Sequence, residues 1–79
     1  MAKRLTEIDV EIGKRLRNLR TARGMSQTVL AEGLNITFQQ VQKYEYGRNR
    51  LSCATMLQAC RVLGCQPVDI IGEFQADEA

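Results

Sequence analysis

Apolar residues recur at three- and four-residue intervals along most of the chain: Ile12, Leu16 and Leu19; Leu30, Ala31 and Leu34; Val41 and Tyr44; Met56, Leu57, Cys60 and Leu63. That interval belongs to a helix with one buried stripe, and no segment sustains the alternation a strand needs. Helix starts are marked by a capping residue with an apolar residue before it and another five positions on. Thr6 has Leu5 and Val10, Ser26 has Met25 and Leu30, Thr37 has Ile36 and Val41, and Ser52 has Leu51 and Met56. A weaker start is Gln66, where Pro67 suits the first helical position and Cys65 and Ile70 flank it. Stops fall at Gly24, Asn35, Gly47, Gly64 and Gly72, residues that tolerate the left-handed conformation closing a helix. The spacing predicts an all-α domain with helices over 7–22, 27–34, 38–46, 53–63 and 67–72.

With 79 residues there is room for one core and no second module in this chain. The expected organisation is a flexible arm over residues 1–5, a folded domain over 6–72 and an acidic tail over 73–79. Ten Lys or Arg against five acids in residues 1–50 give way to one Arg against four acids in 51–79, so one end of the molecule should attract polyanions. A basic start followed by charged residues, with no apolar run near the length of a membrane span, implies a cytoplasmic chain without membrane contact. Cys53, Cys60 and Cys65 lack C-x-x-C spacing and there is no His to complete a metal set, so they read as reduced, buried small apolar residues. No metal, no cofactor and no catalytic residue is expected: there is no His, no nucleophile–base pair and no phosphate-binding Gly-rich loop.

The stretch 38–46 carries the candidate chemistry. At about 100° per residue, Val41 and Tyr44 share an arc with the cap Thr37, while Phe38, Gln39, Gln42 and Lys43 fall on the opposite arc. Gln40 lies at the edge and would complete a capping box with Thr37. A Gln can bond an adenine edge through two atoms, Lys can reach guanine O6 or N7, and an apolar ring can touch a thymine methyl. Gln39 and Lys43 rank ahead of Gln42 as base readers, and Phe38 suits either thymine contact or shielding of its neighbours. An outward polar arc is ordinary surface on an isolated helix; here the short helix 27–34 and a tight turn precede it, the arrangement that presents a second helix to the major groove.

These residues closely resemble the helix-turn-helix family of phage repressors and Cro, the XRE family of bacterial transcription regulators. Arg20, Arg23, Gly24, Met25, Ser26, Gln27, Leu30, Ala31, Ile36, Thr37, Val41, Tyr44, Glu45 and Gly47 occupy the family's positions, and the likeness runs from about Ile12 to Ile71. It implies a five-helix lambda-repressor-like fold and an Arg20–Glu45 ion pair linking the first and third helices. It also implies that Gln27 holds a DNA phosphate, that Thr37 or Gln40 does the same, and that Arg48, Asn49 and Arg50 clamp the backbone. Asn35 stands where the family has Gly, and Leu51 where it usually has Pro.

One such helix reads few base pairs, so two copies on half-sites about one turn apart, roughly 34 Å, are expected. Val68, Ile70, Ile71 and Phe74 exceed what a small core can absorb and mark the expected homodimer surface. The partner is then double-stranded DNA with a near-palindromic operator, bound by a regulator that represses by occluding polymerase or activates by touching it. The rival reading is an antitoxin or adaptor that keeps the fold but has a protein partner, such as a toxin.

Overall fold

The computed structural model describes residues 5–73, which form five α-helices and, among those residues, no strand: α1 (Leu5–Ala22), α2 (Gln27–Leu34), α3 (Phe38–Glu45), α4 (Cys53–Leu63) and α5 (Pro67–Ile71). Most of the expected arm 1–5 and tail 73–79 lies outside the described residues. None of the described helices is long and apolar enough to cross a membrane.

The helix starts follow from local chemistry. Ser26 Oγ accepts the Val29 N–H at 3.1 Å, Thr37 Oγ1 accepts the Gln40 N–H at 3.2 Å, and Ser52 Oγ accepts the Thr55 N–H at 3.1 Å. Each bond satisfies a backbone donor that has no partner within its helix. Gln66 starts α5 differently, its own N–H donating to Asp69 Oδ2 at 2.9 Å. Thr6 departs from expectation. It lies inside α1, which is already helical at Leu5. The turn between α2 and α3 closes as the pattern implies: Asn35 takes φ 57° and ψ 44°, and the Ile36 N–H reaches back to the Ala31 carbonyl at 3.0 Å.

The core gathers Leu16 of α1, Leu30, Ala31 and Leu34 of α2, Val41 of α3, Ala59, Cys60 and Leu63 of α4, and Ile70 of α5. α1 packs on α3 and α5, while α2 packs on α3 and α4. Ile70, Leu57 and Cys53 sit otherwise than their spacing predicts. Ile70 is completely buried and belongs to the core, so it cannot form a surface contact; α5 needs one anchor, and Ile70 is the residue its short turn directs inward. Leu57 is 55% exposed, because α4 covers the core with Met56, Cys60 and Leu63 and turns Leu57 away. Cys53 is exposed at the first position of α4, whereas Cys60 is buried and Cys65 half-buried; none is in a disulfide. Burial and a hydrogen bond with Cys60 push the Cys65 thiol up to about 11, which disfavours a reactive thiolate there at neutral pH.

Gly13 sets how closely α1 and α3 approach. A Cβ at this position would lie 2.7 Å from the Glu45 carbonyl oxygen and closer still to that of Tyr44, so the backbones touch where only hydrogen fits. Replacing Gly13 by Ala gains roughly 1 kcal/mol of helix propensity, but overpacking a close contact costs about 1 to 3 kcal/mol. The obstructing atoms are backbone carbonyls at the end of α3, which cannot rotate aside, so the clash wins. With backbone atoms in the way the overpacking cost falls at the upper end of that range, so Gly13→Ala should lower unfolding free energy by about 2 kcal/mol, read from the midpoint of urea denaturation. An unchanged or raised midpoint contradicts the close approach.

Candidate nucleic-acid interface

α2 lies behind α3, and the Val41 side chain is fully buried between it and the core. With Val41 and Glu45 directed inward, the helix period turns Gln39 and Lys43 outward, both exposed, and leaves Phe38 43% exposed. Gln42 is half-buried, at the boundary facing α2. Gln39, Gln42, Lys43, Tyr46 and Arg48 together line one shallow depression. The sequence-derived candidates Gln39, Gln42 and Lys43 are therefore brought together; Phe38 is exposed at the start of the same helix but does not line this depression.

Beneath that face runs a chain of side-chain hydrogen bonds. Arg20 Nε donates to Glu45 Oε2 at 2.6 Å and Arg20 Nη2 donates to Glu45 Oε1 at 3.0 Å, two roughly parallel bonds between buried residues. Arg20 Nη1 also donates to the Met25 carbonyl at 2.8 Å, so one guanidinium joins α1, the turn after it and α3. Gln27 Nε2 donates to Glu45 Oε1 at 3.0 Å, and Gln27 Oε1 accepts from Gln42 Nε2 at 3.2 Å. Gln27 therefore does not stand alone at the head of α2: its oxygen and one amide hydrogen already have partners within the protein, leaving a second N–H for a phosphate. No buried side-chain nitrogen or oxygen among the described residues lacks a partner.

The remaining phosphate candidates surround the face. Thr37 is exposed, not on the inner arc with Val41, because its hydroxyl turns out to accept the Gln40 N–H; its own hydrogen remains able to donate. The reciprocal half of the capping box does not form, which leaves the half-buried Gln40 amide outside the cap. Arg48 and Asn49 fold back so that their N–H groups meet the Lys43 carbonyl at 2.9 and 3.3 Å, holding the "RNR" loop against the end of α3. Arg50 is tied by Nε to Asp9 Oδ2 of α1 at 3.0 Å, although its side chain stays 65% exposed. This pair orients the guanidinium and offsets part of its charge, a surface effect of modest size.

One residue of the site, Tyr46, has no role that the sequence pattern assigns. Tyr46 is 64% exposed and has the Arg48 guanidinium 6.0 Å from its ring centre, so it adds an aromatic wall beside Lys43. Its spacing of seven from Gln39 and four from Gln42 was the available signal. Arg23, matched to the family without a role, lies away from this face: from the turn after α1 it donates to the carbonyls of Leu63 and Leu19 and so caps the C-terminal end of α4.

Fold and surface thus define a helix-turn-helix whose second helix presents amides and an ammonium. Residues 15–76 match the Cro/C1-type HTH DNA-binding domain, and the chain belongs to that family. It is 43% identical over 75 residues to the HTH-type transcriptional regulator y4wC of Sinorhizobium fredii, covering 90% of this chain and 52% of that protein. A relative from Sinorhizobium medicae, also named an HTH-type transcriptional regulator, is 46% identical over 61 residues, covering 77% and 44% respectively. The chain spans about half the length of these curated relatives. Among solved structures, the restriction-modification controller protein C.AhdI from Aeromonas hydrophila superposes with a TM-score of 0.78 at 32% identity, over 82% of this chain and 94% of that one. The clp gene regulator ClgR from C. glutamicum gives 0.78 at 25% identity, over 81% and 83%.

Removing one member of the Arg20–Glu45 pair leaves the other charge buried without its partner. Arg20→Met should cost about 3 to 5 kcal/mol of stability, and adding Glu45→Met should recover much of that loss. Equal destabilisation in the single and double variants, by chemical denaturation, contradicts a coupled buried pair.

Proposed function

We propose that this chain binds double-stranded DNA sequence-specifically and regulates transcription, with α3 in the major groove and α2 across the backbone. The carrying observation is the exposure of Gln39 and Lys43 on a helix whose opposite side is locked into the core by Val41 and Glu45. Gln39, Lys43 and Gln42 contact base edges, and Phe38 contacts a thymine methyl or shields its neighbours. Gln27, Thr37, Gln40, Arg48, Asn49 and Arg50 hold phosphates, with Tyr46 beside them. The transcriptional-regulator names of the relatives, and of the structurally similar clp gene regulator and restriction-modification controller, support the same reading.

The protein acts as a homodimer on a near-palindromic operator and represses by occluding polymerase. Val68 and Ile71, 50% and 49% exposed on α5, supply the apolar contact between copies. Ile70 takes no part, and Phe74 lies outside the described residues. Charge supports this division of surfaces: the basic residues concentrate in the first fifty positions and the acids outnumber the bases after them.

Selection of bound sequences from a random duplex pool should return a paired-half-site motif. Gln39→Ala should then lose about 1 to 3 kcal/mol on that motif and relax preference at one base pair; equal losses on selected and random duplexes refute base reading by Gln39. In sedimentation with the selected duplex, Ile71→Glu should convert a two-protein complex into a one-protein complex. Retention of two copies by Ile71→Glu and by Val68→Glu rules out the α5 contact.

A further inference from the structure

The bonds from Glu45 through Gln27 to Gln42 have a direction that chemistry fixes. A carboxylate only accepts, so the Gln27 amide must turn its NH2 to Glu45 Oε1, 3.0 Å away, and its oxygen the other way. That oxygen, 3.2 Å from the end of Gln42, also only accepts, so Gln42 must turn its NH2 to Gln27. Reversing the Gln42 amide would set two oxygens against each other; reversing Gln27 would set its oxygen against the carboxylate. Glu45 cannot relieve this by swinging away, because Arg20 holds both of its oxygens.

Gln42 lines the same depression as Gln39 and Lys43, with its side chain half-buried at the α2 edge. One of its two amide hydrogens is engaged by Gln27. What remains for the groove is an acceptor, Oε1, and a single N–H donor. Adenine offers a donor at N6 and an acceptor at N7, which pairs with both. Guanine offers acceptors at O6 and N7, so Oε1 of Gln42 would face O6 with no hydrogen between them.

We propose, resting on the DNA-binding reading above, that Glu45 and Gln27 act as positioning residues that fix the polarity of the Gln42 amide and so make Gln42 select adenine and reject guanine. The buried ion pair then has a role in specificity as well as in architecture. Gln27 joins the two functions: its amide polarity is set from inside the protein, and its second N–H remains for a phosphate.

The test starts from the selected duplex and locates the base pair whose preference Gln42→Ala abolishes. Wild-type protein should favour adenine over guanine there by about tenfold or more. Gln27→Lys has no acceptor; its ammonium donates both to Glu45 and to Gln42 Oε1, which turns the Gln42 NH2 outward and should invert the adenine-to-guanine ratio. Gln27→Met, of similar length and without polar hydrogens, should narrow the ratio several-fold while preferences at other base pairs stay unchanged. Taking ratios on paired duplexes cancels any change in phosphate contact or in the folded fraction. The same adenine-to-guanine ratio in wild type, Gln27→Lys and Gln27→Met overturns the relay and leaves Gln27 as a phosphate contact only, as does a Gln42→Ala protein that keeps every base preference. A wild-type protein that prefers no duplex over random DNA instead overturns the DNA-binding reading itself.

Discussion

The Arg20 guanidinium is the constraint on which the arrangement of the helices depends. It makes two bonds to Glu45 near the end of α3 and one to the Met25 carbonyl in the turn before α2. Both charged residues are buried, so much of their attraction offsets the loss of water, and the net stabilisation is small next to the core. What the pair contributes is definition. Five donors in a rigid plane fit a carboxylate in few orientations, and each misplacement of α3 would leave a buried charge unmatched.

That definition matters because apolar packing alone specifies little in so small a domain. α2 and α3 have eight residues each, too short for stable helices on their own, and they are held through Leu30, Leu34 and Val41. A smooth apolar seam lets a short helix rotate. The approach at Gly13, the Arg20–Glu45 pair and the Thr37 cap together remove that freedom, and the orientation of Gln39 and Lys43 follows from it. An interface that reads base edges needs side chains placed to within about 0.5 Å, which is the order of precision rigid supports provide.

Features governed by neighbouring residues were legible in the sequence. Ser26, Thr37 and Ser52 cap because their oxygen lies within reach of an N–H three residues on, and Asn35 closes α2 because its backbone accepts the left-handed region. The outward placement of Gln39 and Lys43 follows from helical period alone. What escaped depends on partners distant in the chain. Ile70 sits beside the apolar Val68 and Ile71, and no period over five residues distinguishes the buried member from the exposed ones. Gln42 falls on the outer arc of an isolated helix, yet its tie to Gln27 requires knowing how α2 crosses α3. Gly13 carries no side chain to signal that α3 backbone passes over it, and Leu57 satisfies the spacing of a core stripe on a helix whose buried arc is narrower than the pattern.

Whether the face of α3 bearing Gln39 and Lys43 meets the duplex can be read directly. Isotope-edited NMR of the protein, titrated with a selected duplex, observes the side-chain amides and backbone of every element at once. Contact through α3 places the largest perturbations at Gln39, Gln42, Lys43 and the N-terminal turn of α2. Perturbations confined to α4 and α5, with the α3 amides unchanged at saturation, would contradict it.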